Sequence, residues 1–342
     1  MLTNRLRMSG YLVAAAMLSG SLIASPAFAQ KAFHIEQRWP IGGEGGWDYL
    51  SVDSASHRLY LAHETKVDVV DTNTGKVVGE VTGLKRCHGV VLSPDGKTGF
   101  VSDGGANAVV MFDPQTFAKT GQIATGTNPD GLLVEPATKT VWAFNGGSNN
   151  ATVIDIAGRK VIGTLALPGR PEFPAADGSG ILFVNLEDKH AIARVDAKTM
   201  KVTANWPLTA CESPSGLALD TTGGRLFSVC DGKKMAVTDA HTGKSLGTAT
   251  VGEGPDAAAY DAKNKLAFSS NGEGTLTVVD AGKPGYPVMQ TLKTEKGART
   301  MAYDEATGKA YLVTAKYGKL AAGAKRPPVL PDTFMVLVVG RE

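Results

Sequence analysis

Seven repeats of 40 to 43 residues, each with room for four short strands, predict an all-β fold: a seven-bladed β-propeller with four antiparallel strands per blade. Two further observations agree with the repeat. Glycine is abundant at 41 residues while charged residues make up only 20%, a composition suited to many tight turns between short strands. The chain also stops one strand short of completing the seventh repeat, and a spare strand lies at its beginning.

The repeat is anchored on seven segments that align without gaps. They begin at Trp47-Asp48, Cys87-His88, Pro129-Asp130, Pro171-Glu172, Pro214-Ser215, Pro255-Asp256 and Ala298-Arg299. An apolar run follows each anchor, as in Gly131-Leu-Leu-Val134, and reads as a strand buried on both faces. A turn and a second strand such as Arg58-Leu-Tyr-Leu-Ala62 come next. The third strand ends in an aspartate, at Asp71, Asp113, Asp155, Asp196, Asp239 and Asp280. Turns such as Asn73-Thr74-Gly75-Lys76 then lead into a fourth, more polar strand.

Strand counting predicts how the ring closes. After Asp304 the last unit offers strands near Ala310–Thr314 and Phe334–Val339 and then ends, while Phe33–Trp39 precedes the first unit. The N-terminal segment is therefore expected to complete blade seven and leave no open sheet edge. Blade seven also departs from the repeat through a long segment, Ala315 to Asp332, carrying Lys316, Lys319, Lys325 and Arg326. Loops of that length in a compact domain are often functional.

Residues 1–29 have the organisation of a secretory signal peptide. Arg5 and Arg7 precede an apolar run from Tyr11 to Ile23, and Ser25-Pro26-Ala27-Phe28-Ala29 forms an A-x-A-like cleavage site. A spanning helix is the rival, but it needs ~20 apolar residues. Gln30 follows the cut, so no lipid-anchored cysteine is indicated. The expected mature protein is one domain, residues 30–342, periplasmic and monomeric, with no membrane span after cleavage. It carries 33 basic and 33 acidic residues, a balance that argues against nucleic-acid binding through a broad positive footprint.

In a propeller the innermost strand begins, and the second strand ends, at one face, so two rings of side chains should converge on one mouth of the central channel. The inner ring is Asp48, His88, Asp130, Glu172, Ser215, Asp256 and Arg299. Fifteen residues later, thirteen in blade four, come His63, Asp103, Asn145, Asn185, Cys230, Asn271 and Thr314. All seven inner positions are polar, the mark of a ligand site in a concave mouth, although a solvated structural rim would read the same way. Four inner carboxylates against Arg299 should favour cations, metals or polyhydroxylated ligands, unless the basic segment folds over the mouth and reverses the sign. His63 and His88 lie in adjacent blades and are candidate ligands for a divalent metal ion with Asp48 or Asp103. Cys211 and Cys230 are expected close enough for a disulfide, leaving Cys87 either as a mouth nucleophile or as an inert core thiol.

Three stretches resemble the YVTN β-propeller repeat: Gly89–Lys97, Ala151–Asp155 and Asp71–Val78. Across residues 31–342 the chain resembles the YncE-like family of secreted bacterial propellers. The resemblance implies a periplasmic seven-bladed binding protein taking a small polar molecule or a protein partner. Gluconolactonase-like propellers are the enzymatic comparison; they hold a divalent cation with Glu, Asn and Asp at the mouth, residue types found here at Glu172, Asn145, Asn185 and Asp130 or Asp256. Those enzymes have six blades, so residue roles do not transfer. The catalytic alternative is a metal-assisted hydrolase or lyase, with His88, Glu172 or Asp130 as base and Arg299 orienting an anionic group.

Overall fold

Seven four-stranded antiparallel sheets follow one another along the chain in the computed structural model, which describes residues 1–3, 32–320, 323 and 327–341. Residues 4–29 of the expected signal peptide lie outside the described residues, as do Lys325 and Arg326 of the long segment. Among the described residues no helix is long and apolar enough to cross a membrane.

Six blades are built from consecutive strands. Blade two, for example, runs Cys87–Leu92, Gly99–Asp103, Ala108–Phe112 and Lys119–Ala124 from the channel outward. Blade seven is completed across the chain ends: His34–Pro40 pairs antiparallel with Met335–Gly340, with Trp39 opposite Val336. The strand seals its place with two aromatic anchors. Phe33 packs edge-on against Phe268 of blade six, and Trp39 packs against Tyr311 of blade seven.

The core is divided into seven apolar clusters, each shared by two neighbouring blades. Middle strands such as Thr140–Asn145 are buried along their whole length because both faces of the sheet meet another sheet. The glycine after several inner-ring residues is a packing requirement, since a Cβ at Gly216 would stand 2.5 Å from the carbonyl oxygen of Asp256 in the next blade. The recurrent aspartates are turn devices. Asp71 Oδ1 accepts from the amides of Asn73 and Thr74, and Asp113 and Asp239 repeat the pattern.

Cys211 and Cys230 are joined in a disulfide across the start of blade five, with Cα atoms 5.3 Å apart. Cys87 is free and buried, and its Sγ donates to the Lys66 carbonyl.

Deleting residues 32–40 should lower stability on the order of 6–10 kcal/mol, the sum expected for two buried aromatic anchors. A truncated protein that melts with the parent would show that closure is not needed. Replacing Cys211 and Cys230 with serine should cost about 3 kcal/mol under oxidising conditions, measured by urea denaturation, and nothing once the parent is reduced.

Candidate functional site at the channel mouth

The inner ring converges as its spacing predicts, and six of its seven members fall into three groups. In the first, His88 Nδ1 lies 2.6 Å from Asp48 Oδ2 and 3.6 Å from Asp130 Oδ1. On its other side His88 Nε2 accepts from Arg86 Nε at 3.2 Å, so the ring is neutral in this arrangement, with its proton on Nδ1 donated to Asp48. Burial pushes His88 down, but Asp48 and Asp130 outweigh burial and hold its pKa above the ordinary value, with Arg86 opposing them. Protonation at Nε2 would therefore break the Arg86 contact.

The second group crosses the channel. The Tyr49 hydroxyl of blade one donates to Glu172 Oε1 of blade four at 3.2 Å, and its ring packs on Phe173 at 5.0 Å. Burial, then the charges of Glu172 and Asp130, raises the Tyr49 phenol well above its ordinary range, so it serves as a donor. Glu172 Oε2 is buried without a hydrogen-bond partner, 3.9 Å from Arg170 Nη2. Burial, followed by repulsion from Asp130, Glu187 and Asp256, pushes Glu172 up to about 8. The same desolvation pushes Asp130 up to about 6. The third group is the ion pair of Arg299 with Asp256, which, with Asp48, overcomes burial and raises the guanidinium further.

The outer ring turns out to be mostly structural. Asn185 spans two blades, donating to the carbonyls of Ser215 and Gly216 and accepting from Ser228 Oγ. Asn145 is tied to Asn150 and Thr152, and Asn271 to the strand Thr275–Asp280. Asp103 accepts from the amides of Lys85 and Arg86 and so positions Arg86 over His88. Thr314 donates to the Lys296 carbonyl, and Ser215 of the inner ring to the Pro255 carbonyl. His63 is not grouped with His88: its Nδ1 pairs with Asp68 at 2.7 Å, and its ring stacks on Phe334. Burial pushes the Cys87 thiol up to about 12, which makes it a core thiol and not a nucleophile.

Glu172, Ser215, Asp256 and Arg299 line a cleft of about 580 Å³ together with Arg170, Lys296 and Tyr317. Tyr317 and Pro327 bring the long segment of blade seven to this cleft, and a single antiparallel bridge joins Tyr317 to Val329. In this half of the mouth Arg170, Lys296 and Arg299 face Glu187, Asp231 and Asp256, and the raised pKa of Glu172 weakens its own charge, so the wall is close to balanced and less cation-seeking than a count of inner carboxylates predicts.

Tyr49, Arg86, Arg170 and Tyr317 are absent from the candidate residues read off the repeat. Tyr49 and Phe173 leave a trace in the aligned segments. The residue after the anchor is small in five units, Gly89, Gly131, Gly216, Ala257 and Thr300, and aromatic only in these two. Arg86, Arg170 and Tyr317 sit in connections, where the repeat carries no signal.

No family model and no curated protein sequence matches the chain. Solved structures share the fold. Hydrazine synthase of Kuenenia stuttgartiensis is 18% identical over 79% of this chain and 92% of that one, with a TM-score of 0.68. U3-55K is 9% identical over 90% and 99%, at 0.74. The WD40 repeats of RRP9 are 10% identical over 91% and 99%, at 0.75. Such likeness establishes the seven-bladed β-propeller and nothing finer.

Because the folded pKa of Glu172 is raised, its contribution to stability is complete below its unfolded value, near 4.5, and is lost as pH rises through about 8. Unfolding free energy should therefore fall from pH 5 to pH 8.5 more steeply in the parent than in Glu172→Gln. Parallel curves from urea denaturation would contradict this.

Proposed function

We propose that the mouth cleft binds a small polyhydroxylated molecule, and that the protein is a binding protein of the secreted propeller type. The observation that carries this reading is Glu172 Oε2, buried and without a hydrogen-bond partner in the wall of a cleft of about 580 Å³. A buried polar atom left unmade costs about 1–3 kcal/mol, and a ligand that supplies its partner recovers that cost. A hydroxyl can donate to a carboxylate or accept from a carboxylic acid, so it suits Glu172 in either protonation state. Arg170, Lys296, Arg299 and Tyr317 add donors for further ligand oxygens, and Tyr317 and Pro327 of the long segment line the cleft.

Tyr49 holds the Glu172 carboxyl in place and packs on Phe173 of the same blade as Glu172. A carboxyl held in place and convergent polar walls fit recognition. Nucleophilic hydrolysis through Cys87 has no support, since that thiol is buried and held protonated.

The charged start, apolar run and Ala27-Phe28-Ala29 site support export to the periplasm, and the YVTN-like segments support kinship with YncE-like propellers.

Calorimetric titration with glucose and with gluconate tests the reading. At least one should bind, and Glu172→Leu, which keeps bulk but offers no hydrogen bond, should weaken it by about tenfold or more, the worth of one buried hydrogen bond. Absence of binding by both, or affinity untouched by Glu172→Leu in a folded variant, would overturn it.

A further inference from the structure

The half of the mouth built by blades one to three holds a cluster that the polyol reading does not use. Asp48, His88 and Asp130 present one ligand atom each, all within 4.8 Å of one another. We infer that this corner is a site for one divalent first-row transition-metal ion, with His88 Nδ1, Asp48 and Asp130 as ligands.

Three independent observations point there. His88 Nδ1 faces both carboxylates, at 2.6 Å and 3.6 Å. Asp130 is only 8% exposed, and its Oδ1, aimed at His88, has no hydrogen-bond partner. A cleft of about 220 Å³, walled by Gly46, Trp47, Glu64 and Arg86, opens onto Asp48 and His88 from outside.

The donor set is one imidazole and two carboxylates, which suits zinc, manganese or ferrous iron and leaves coordination positions for water. With metal–ligand bonds of about 2.0–2.2 Å, neighbouring ligand atoms stand roughly 3.0–3.6 Å apart. The Asp130–His88 separation already matches. The Asp48–His88 pair is closer because a proton now lies between them, and it must open by about half an ångström.

Metal binding needs the Nδ1 lone pair, so the ring must change tautomer: Nδ1 gives up its proton and Nε2 takes one up, leaving the imidazole neutral. Nε2 then becomes a donor and can no longer accept from Arg86 Nε. An acceptor stands ready in Asn128 Oδ1, now bonded to Arg86 Nη2. Gly104 leaves room for both atoms, since a Cβ there would lie 2.7 Å from His88 Nε2 and 2.6 Å from Asn128 Oδ1. Arg86 is an exposed residue and can swing away. It is thus a cover over the site that opposes the cation both by its charge and by the tautomer it selects, while Asn128 would orient the metal-bound ring.

The test uses the full protein stripped with a chelator, dialysed against Zn²⁺ alone and Mn²⁺ alone, with bound metal measured by mass spectrometry. One ion per chain is expected for at least one metal. His88→Ala and Asp130→Asn should each lower affinity at least tenfold, whereas Arg86→Ala, a surface change that should not disturb folding, should raise it. Stoichiometric binding of neither metal overturns the inference. So does binding that His88→Ala and Asp130→Asn leave unchanged, or an Arg86→Ala protein that binds no tighter than the parent. Glucose and gluconate titrations report on the Glu172 cleft separately, so failure of either site is distinguishable from failure of the other.

Discussion

Everything in this molecule depends on the pairing of His34–Pro40 with Met335–Gly340. Each sheet is apolar on both faces, so each needs two neighbours, and a row of seven would leave two apolar faces in water. Only a ring satisfies all seven. The clasp binds the first described strand to the last and adds Phe33 and Trp39 to the clusters at blade seven's two interfaces. Without it, the segments beginning at Asp48 and Met301 would lose their fixed relation.

Ring geometry then governs the chemistry of the mouth. Seven strand starts pointed at one axis bring carboxylates together that are far apart in the chain, and burial forbids all of them to stay charged cheaply. The structure resolves the conflict in different ways around the ring. Asp256 takes Arg299 as a partner, Asp48 takes His88, and Glu172, its pKa pushed up to about 8, accepts a hydrogen bond from Tyr49. The result is a mouth with two unlike halves, an acidic corner around His88 and a donor-rich cleft around Glu172 and Arg299.

The outer ring shows why a polar residue at a converging position is not by itself a ligand group. Asn145, Asn185 and Asn271 are buried and hold strands or blades together with hydrogen bonds that no solvent could supply. Asp103 acts one step removed, fixing the backbone from which Arg86 reaches His88.

The sequence alone determined the blade number, the order of strands, the closure of blade seven and the membership of the inner ring. All four follow from a repeat period and strand alternation, which are local properties. The tertiary structure alone decided what those residues do. The Cys211–Cys230 bond depended on two strand ends meeting, and His63 was drawn to Asp68 and away from His88. Tyr49 could be matched with Glu172 only once blade one faced blade four across the channel. The raised pKa of Glu172, which weakens the negative charge of its half of the mouth, comes from desolvation and neighbouring charge. Both are sums over atoms brought together by folding, and no window of sequence contains them.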